Sequence, residues 1–234
     1  MINIFNPIKV LMRKKRPVIW NDFTRHAPVS PVFGFDRGTP VDRYYIDKFL
    51  QQNSSLIKGR VLEIADSHYS KLYGKDKVQV FEVLHATRGS KNATIIGDLT
   101  VTSTLPESCM DCFICTQTFN FIFDVQRAVE GAHRLLKPGG VLLATVAGIS
   151  QISRYDMDRW GDYWRFTTAS VQKLFEPVFS GGLQVSCYGN VLAATAFLQG
   201  IACEDLPRLD LLDRQDPDYQ LLITIVARKA DEIC

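Results

Sequence analysis

No apolar run in this 234-residue sequence approaches the roughly 20 residues that a membrane-spanning helix needs. Its net charge is only +2, so no global basic field points to nucleic acid. A secretory leader is not expected, because the basic cluster Lys9, Arg13, Lys14, Lys15 and Arg16 follows the short apolar stretch instead of preceding it. The six cysteines are scattered through apolar surroundings and read as reduced thiols of a cytosolic protein. Cys109, Cys112 and Cys115 have the C-x-x-C-x-x-C spacing of a metal or cluster site. Cys112 and Cys115 fall within an expected strand, however, where an odd separation sends side chains to opposite faces, and no fourth ligand is evident. No Gly-x-Gly-x-x-Gly opens a helix after the first strand, which argues against a dinucleotide oxidoreductase. Internal repeats and low-complexity linkers are missing too.

What is present suffices for one large domain, since 46% of the residues are hydrophobic. Two parts are expected: a basic and apolar segment over residues 1–30, and an α/β domain over 31–234 with an insertion at 148–166. The first part either lies on an anionic membrane or a partner, or packs on its own domain as an ordinary tail. Thr39-Pro40-Val41-Asp42 reads as a helix start, with Thr39 capping and Asp42 completing a capping box, and the helix runs to about Gln52. Strands are expected at 60–65, 77–84, 93–96, 111–116 and 141–146. Asp124 caps a helix that stops at Lys137-Pro138-Gly139-Gly140. Thr167 caps another over 168–176, followed by a strand at 183–188, a helix at 191–198 and a last strand at 219–227. Such alternation builds a parallel-rich sheet closed by late antiparallel strands.

Ligands of open α/β sheets bind beyond the carboxyl ends of the strands. That rule selects Ala65, Asp66, Ser67, His68 and Tyr69 after the first strand, and Glu82 and His85 on the second. It also selects Gly97, Asp98 and Leu99 after the third, and Cys115, Thr116, Gln117 and Thr118 at the fourth. Glu82 and Asp98 either accept ribose hydroxyls and an exocyclic amine in a shared crevice, or serve as loop acids and caps.

The stretches VLEI at 61–64, IIGDLT at 95–100 and FDVQRAVEGAHRLLKPGGVLLATV at 123–146 resemble a class I S-adenosylmethionine-dependent methyltransferase. FGFDRGTPVDRYYIDKFL, CTQTFNFIFD and GDYWRFTTASVQKLF are similar to methyltransferase-like proteins associated with glycosyltransferases of bacterial polysaccharide synthesis. The similarity spans about residues 28–228. It implies a Rossmann-like, mostly parallel seven-stranded sheet with helices on both faces, and S-adenosylmethionine as cofactor. Glu63, Ala65, Asp66 and Ser67 would then approach the methionine moiety and Glu82 the ribose. Asp98 and Leu99 would flank the adenine, and Thr116 and Gln117 would lie below the sulfonium.

The departure from that pattern is the turn itself, where Ala65-Asp66-Ser67-His68-Tyr69 replaces the usual glycines. Side chains there can block a close backbone approach, although a cofactor without pyrophosphate needs no phosphate cradle. A saccharide hydroxyl is the expected acceptor, on a nucleotide sugar or lipid-linked glycan. His68 is the first candidate for general base, ahead of Asp36 and His26, or else a loop histidine that merely caps or packs. Trp160, Tyr163, Trp164 and Arg165 combine flat faces with hydrogen-bonding groups that suit a sugar, or else plug the core beneath a long loop. Arg37 and Arg43 can meet phosphate or pair with Asp36 and Asp42. The rival expectation is a catalytically silent scaffold that docks a glycosyltransferase, and the expected location is cytoplasmic, with peripheral membrane contact through residues 1–16. A third is a methyltransferase for a small phenol or carboxylate.

Overall fold

A computed structural model describes residues 24–231. The basic cluster at Lys9–Arg16 lies outside them, so its expected contact with a membrane or partner stays a sequence reading. Among the described residues, no helix is long and apolar enough to cross a membrane.

Helix α1 (Val41–Gln52) precedes strands β1 (Gly59–Ile64), β2 (Val78–His85), β3 (Ile95–Ile96) and β4 (Met110–Thr116). Helix α2 (Val125–Leu135), strand β5 (Leu136–Ala147), helix α3 (Arg154–Met157) and helix α4 (Thr168–Phe175) follow. Strand β6 (Leu183–Tyr188), helix α5 (Val191–Gln199) and strand β7 (Leu222–Arg228) complete the domain. The seven strands are ordered β3-β2-β1-β4-β5-β7-β6; β7 runs antiparallel to both neighbours, and every other pair is parallel. A class I, Rossmann-like architecture is thereby established, as the sequence led one to expect.

Central strands covered on both faces need continuous apolar runs. In β4, Cys112, Phe113, Ile114 and Cys115 are all fully buried. Leu62, Phe113, Cys115 and Leu142 join one core with α2 and α4, whereas Val61, Cys112, Ile114 and Leu143 join the other with α1 and α5. The two cysteines do part to opposite faces. Helix α2 is capped by Asp124, whose Oδ1 accepts the Arg127 amide at 3.4 Å, and it fits closely because Gly131 presses on the Leu99 carbonyl.

Strand β3 starts at Ile95 and β7 at Leu222, later than expected, and two further features differ from the sequence reading. Strand β5 starts at Leu136 instead of Val141: Leu136 pairs with Met110 and Val141 with Cys112, so Lys137-Pro138-Gly139-Gly140 forms a bulge with Gly139 at φ 72°. Proline donates nothing to a ladder and glycine takes the left-handed turn, which is why a bulge forms there. At α1, Thr39 does not cap. Its hydroxyl and amide both donate to the Glu204 carboxylate at 2.7 Å, leaving Asp42 buried on the inner face of the helix.

Candidate functional site

The site is built from the turn that leaves β1. Ala65 takes the left-handed conformation (φ 68°) that glycine usually fills, and the Asp66 amide closes the turn onto the Ile64 carbonyl at 2.8 Å. Holding alanine there costs about 1 kcal/mol, so neighbouring contacts must fix it. They do so through carboxylates. Glu63 accepts the amides of Tyr69 (3.0 Å) and Ser70 (2.8 Å), and Asp66 accepts the His68 amide (2.8 Å). Burial pushes the Glu63 carboxyl above its ordinary range, and the two amides pull against that shift. Glu63 and Asp66 were expected at the cofactor; the structure uses their carboxylates to hold the turn. Ala65 stays exposed and Ser67 half-buried, so the backbone of the turn is open. The His68 ring is exposed and meets the Tyr69 ring edge-on at 5.3 Å.

Beyond the end of β4, Gln117 also takes positive φ (48°), its amide bonded to the Thr145 carbonyl at 2.8 Å. This turn places the Gln117 side chain near Asp42, where it helps lower that carboxyl. Asp42 is only 6% exposed. Burial pushes its carboxyl upward, opposed mainly by the Arg43 guanidinium, whose Nη1 lies 4.0 Å from Oδ2. Three buried acceptors in this region, Asp42 Oδ1, Gln117 Oε1 and Asn120 Oδ1, have no hydrogen-bond partner. Buried polar atoms are rarely left this way, and a donor-bearing ligand is one physical reason for it. Thr116 and Thr118 stand beside them, half-buried.

Asn120 also ties the crevice to the insertion, for its carbonyl accepts the amides of Tyr163 (3.0 Å) and Trp164 (3.2 Å). Buried Asp162 holds the loop by accepting Arg165 Nη1 at 2.6 Å and Nη2 at 2.8 Å. Arg165 donates further to the Gln151 carbonyl, so its expected role at the substrate becomes one of bracing the loop. The aromatics turn outward instead. Phe123, Trp160, Tyr163 and Trp164 are all exposed, with Phe123 stacked on Trp164 at 5.9 Å. They form a shelf next to the crevice and do not plug the core.

Other expected residues lie elsewhere. Glu82 is three positions short of the end of β2, and its Oε1 accepts both Arg60 Nε (3.0 Å) and Nη2 (2.6 Å), so the expected ribose acid is an ion-pair partner. At the strand's end stands His85, its Nδ1 3.1 Å from the Thr87 carbonyl. Asp98 is exposed, but its Oδ1 already accepts the Thr100 amide and hydroxyl at 2.8 Å. Leu99 is core, only 4% exposed. Arg37 forms a two-pronged pair with Asp205 (2.7 and 2.9 Å), and Asp36 accepts the Ser30 hydroxyl at 2.5 Å. On the other side of the β1 turn, Ser67, His68, Lys71, Phe81 and Val83 border an open groove of about 450 Å³.

Sequence reasoning missed Asp42 and Asn120. A signal existed for the first: positions 42, 45, 46 and 49 form one helical stripe, and an acid on an otherwise apolar stripe is out of place.

Residues 57–144 match the sequence family described as a methyltransferase domain. No curated protein matches the chain. Among solved structures, the [4+2]-cyclase SpnF aligns with a TM-score of 0.54 at 15% identity, over 87% of this chain and 89% of its own. A possible histamine N-methyltransferase from Thermotoga maritima gives 0.52 at 15% identity, over 81% and 91%. An S-adenosylmethionine-dependent methyltransferase from Archaeoglobus fulgidus gives 0.51 at 10% identity, over 80% and 94%. The fold is that of the class I methyltransferases, whose cofactor is S-adenosylmethionine. One of these neighbours is named as a cyclase, so fold does not fix the reaction.

Proposed function

We propose that this chain is an S-adenosylmethionine-dependent methyltransferase acting on a saccharide hydroxyl in polysaccharide or glycan assembly. The observation that carries the cofactor reading is the set of unpartnered buried acceptors beside the open turn of Ala65. A ligand with N–H donors, as at a methionine end, answers their need. The Ala65 turn retains the left-handed bend of a glycine and leaves its backbone free for approach, with Thr116 and Gln117 across from it.

The bound cofactor supplies a methyl group on a sulfonium, already activated for displacement. The chain's task is to hold the acceptor oxygen in line and keep water away. Phe123, Trp160, Tyr163 and Trp164 present flat faces for the C–H surface of a sugar. His68, exposed at the rim of the turn, is proposed to take the hydroxyl proton. The acceptor is proposed to be a nucleotide sugar or lipid-linked glycan, met on the cytoplasmic face with residues 1–16 touching the membrane.

Calorimetry with S-adenosylhomocysteine tests the cofactor reading: saturable binding supports it, and no heat or thermal stabilisation at millimolar ligand rejects it. A scaffold that docks a glycosyltransferase is the second reading, favoured by the engagement of Glu82 with Arg60 and of Asp98 with Thr100. Capture of the glycosyltransferase, lost on deleting residues 1–16, by a chain that binds no cofactor would support it.

A further inference from the structure

The two ends of the crevice are built differently. At the nucleoside end, each expected carboxylate already has one oxygen engaged: Arg60 Nη2 holds Glu82 Oε1 at 2.6 Å, and Thr100 donates to Asp98 Oδ1 through two bonds of 2.8 Å. The position at the end of β2 belongs to His85, whose ring is turned to a carbonyl of its own loop. At the other end, α1 and the loop after β4 carry buried acceptors with nothing to accept. Asp42 is 6% and Asn120 3% exposed, and both, with Gln117, keep an unpartnered oxygen.

This asymmetry predicts where affinity resides. A hydrogen bond from a charged donor contributes about 1.5–3 kcal/mol, more than one between neutral groups. An ammonium carries three donors, and three acceptors on α1 and the loop after β4 are without partners. Arg43 stands beside them, its side chain 31% exposed and opposite in sign to a carboxylate. Together they offer the two charges that complement an α-amino acid zwitterion.

Resting on the cofactor reading above, we infer that this protein recognises S-adenosylmethionine by its amino-acid end, with Asp42, Gln117 and Asn120 taking the α-ammonium and Arg43 the carboxylate, while the ribose hydroxyls contribute little. Recognition is therefore shifted from the sheet's β2 side to the start of α1. The groups that face Asp42 are Arg43 on its own helix, Tyr69 on the β1 turn and Cys203 on the segment before β7. None of these supplies a second cation, so the ammonium meets a carboxylate that only Arg43 neutralises.

Calorimetry on the full chain with three probes separates the possibilities: S-adenosylhomocysteine, its 2′,3′-dideoxy analogue, and 5′-methylthioadenosine, which lacks the amino-acid end. The expected result is dideoxy binding within about threefold of S-adenosylhomocysteine and methylthioadenosine weaker by about 100-fold. Asp42→Asn, nearly isosteric, should weaken S-adenosylhomocysteine by about tenfold or more and leave methylthioadenosine unchanged. Tenfold or greater loss on removing the ribose hydroxyls, or methylthioadenosine binding as well as S-adenosylhomocysteine, overturns the inference while leaving the cofactor reading intact. If no probe binds, the cofactor reading fails and the inference falls with it.

Discussion

Asp42 and Ala65 are the two residues that distinguish this crevice, and each departs from what its position ordinarily favours. Ala65 holds a left-handed conformation that glycine adopts without strain. Replacing it with glycine relieves that strain and gives back some unfolded-state entropy, so Ala65→Gly should stabilise the protein by up to about 1 kcal/mol in denaturant titration. Glu63 is the opposite case, a buried acid with two amide donors that only a carboxylate serves well. Glu63→Gln places an N–H₂ group against one of them, and a loss of about 1–3 kcal/mol is expected by the same measurement.

At the scale of elements, the sheet's carboxyl edge is shaped by how tightly helix α2 and the long insertion are seated. A Cβ on Gly131 would stand 2.0 Å from the Leu99 carbonyl, inside any allowed contact. Gly131→Ala should therefore push α2 away from the 98–105 segment and lower stability by about 1–3 kcal/mol, read as a drop in melting temperature. The insertion is anchored by Asp162, Arg165 and the Asn120 carbonyl, and its rings are left facing out. Trp160→Ala and Tyr163→Ala should consequently weaken binding of a saccharide acceptor with little change in S-adenosylhomocysteine affinity, measured by paired titrations. Equal loss of both ligands would instead mean that the shelf only supports the crevice.

Over the whole molecule, buried carboxyls give stability a pH dependence of known sign. Burial raises Asp42 and Glu63, so the folded state holds protons that the unfolded chain releases. Their contribution is fully present below the ordinary carboxylate range of about 4, and it is lost as pH rises through the raised folded values. Asp111, lowered by its Lys137 and Arg60 partners against the cost of burial, runs the other way, losing its contribution as pH falls. Comparing Asp42→Asn with the wild type isolates one group. The variant should gain stability relative to wild type as pH climbs above the ordinary carboxylate range of about 4, with the difference closing below it. Saturating S-adenosylhomocysteine should shrink that difference, since an ammonium partner removes the penalty of the buried charge.

Much of this architecture was legible in the residues themselves. Continuous apolar runs marked the central strands, Asp124 and Thr167 marked helix starts, and the odd spacing of Cys112 and Cys115 ruled out a shared site, because each is a local, periodic constraint. The roles of the acids were not legible. Whether Glu82 faces a ligand or Arg60 depends on the parallel register that sets Leu62 beside it, and whether Asp42 caps a helix or lines a crevice depends on Glu204, 165 residues from Thr39, taking the Thr39 donors. The chain alone determined which segments become strands and helices and which loops lie at the sheet's carboxyl edge. Only the tertiary structure decided which charged groups are spent on one another and which keep an open valence, since pairing across the fold is a matter of distance in space, not of order along the sequence.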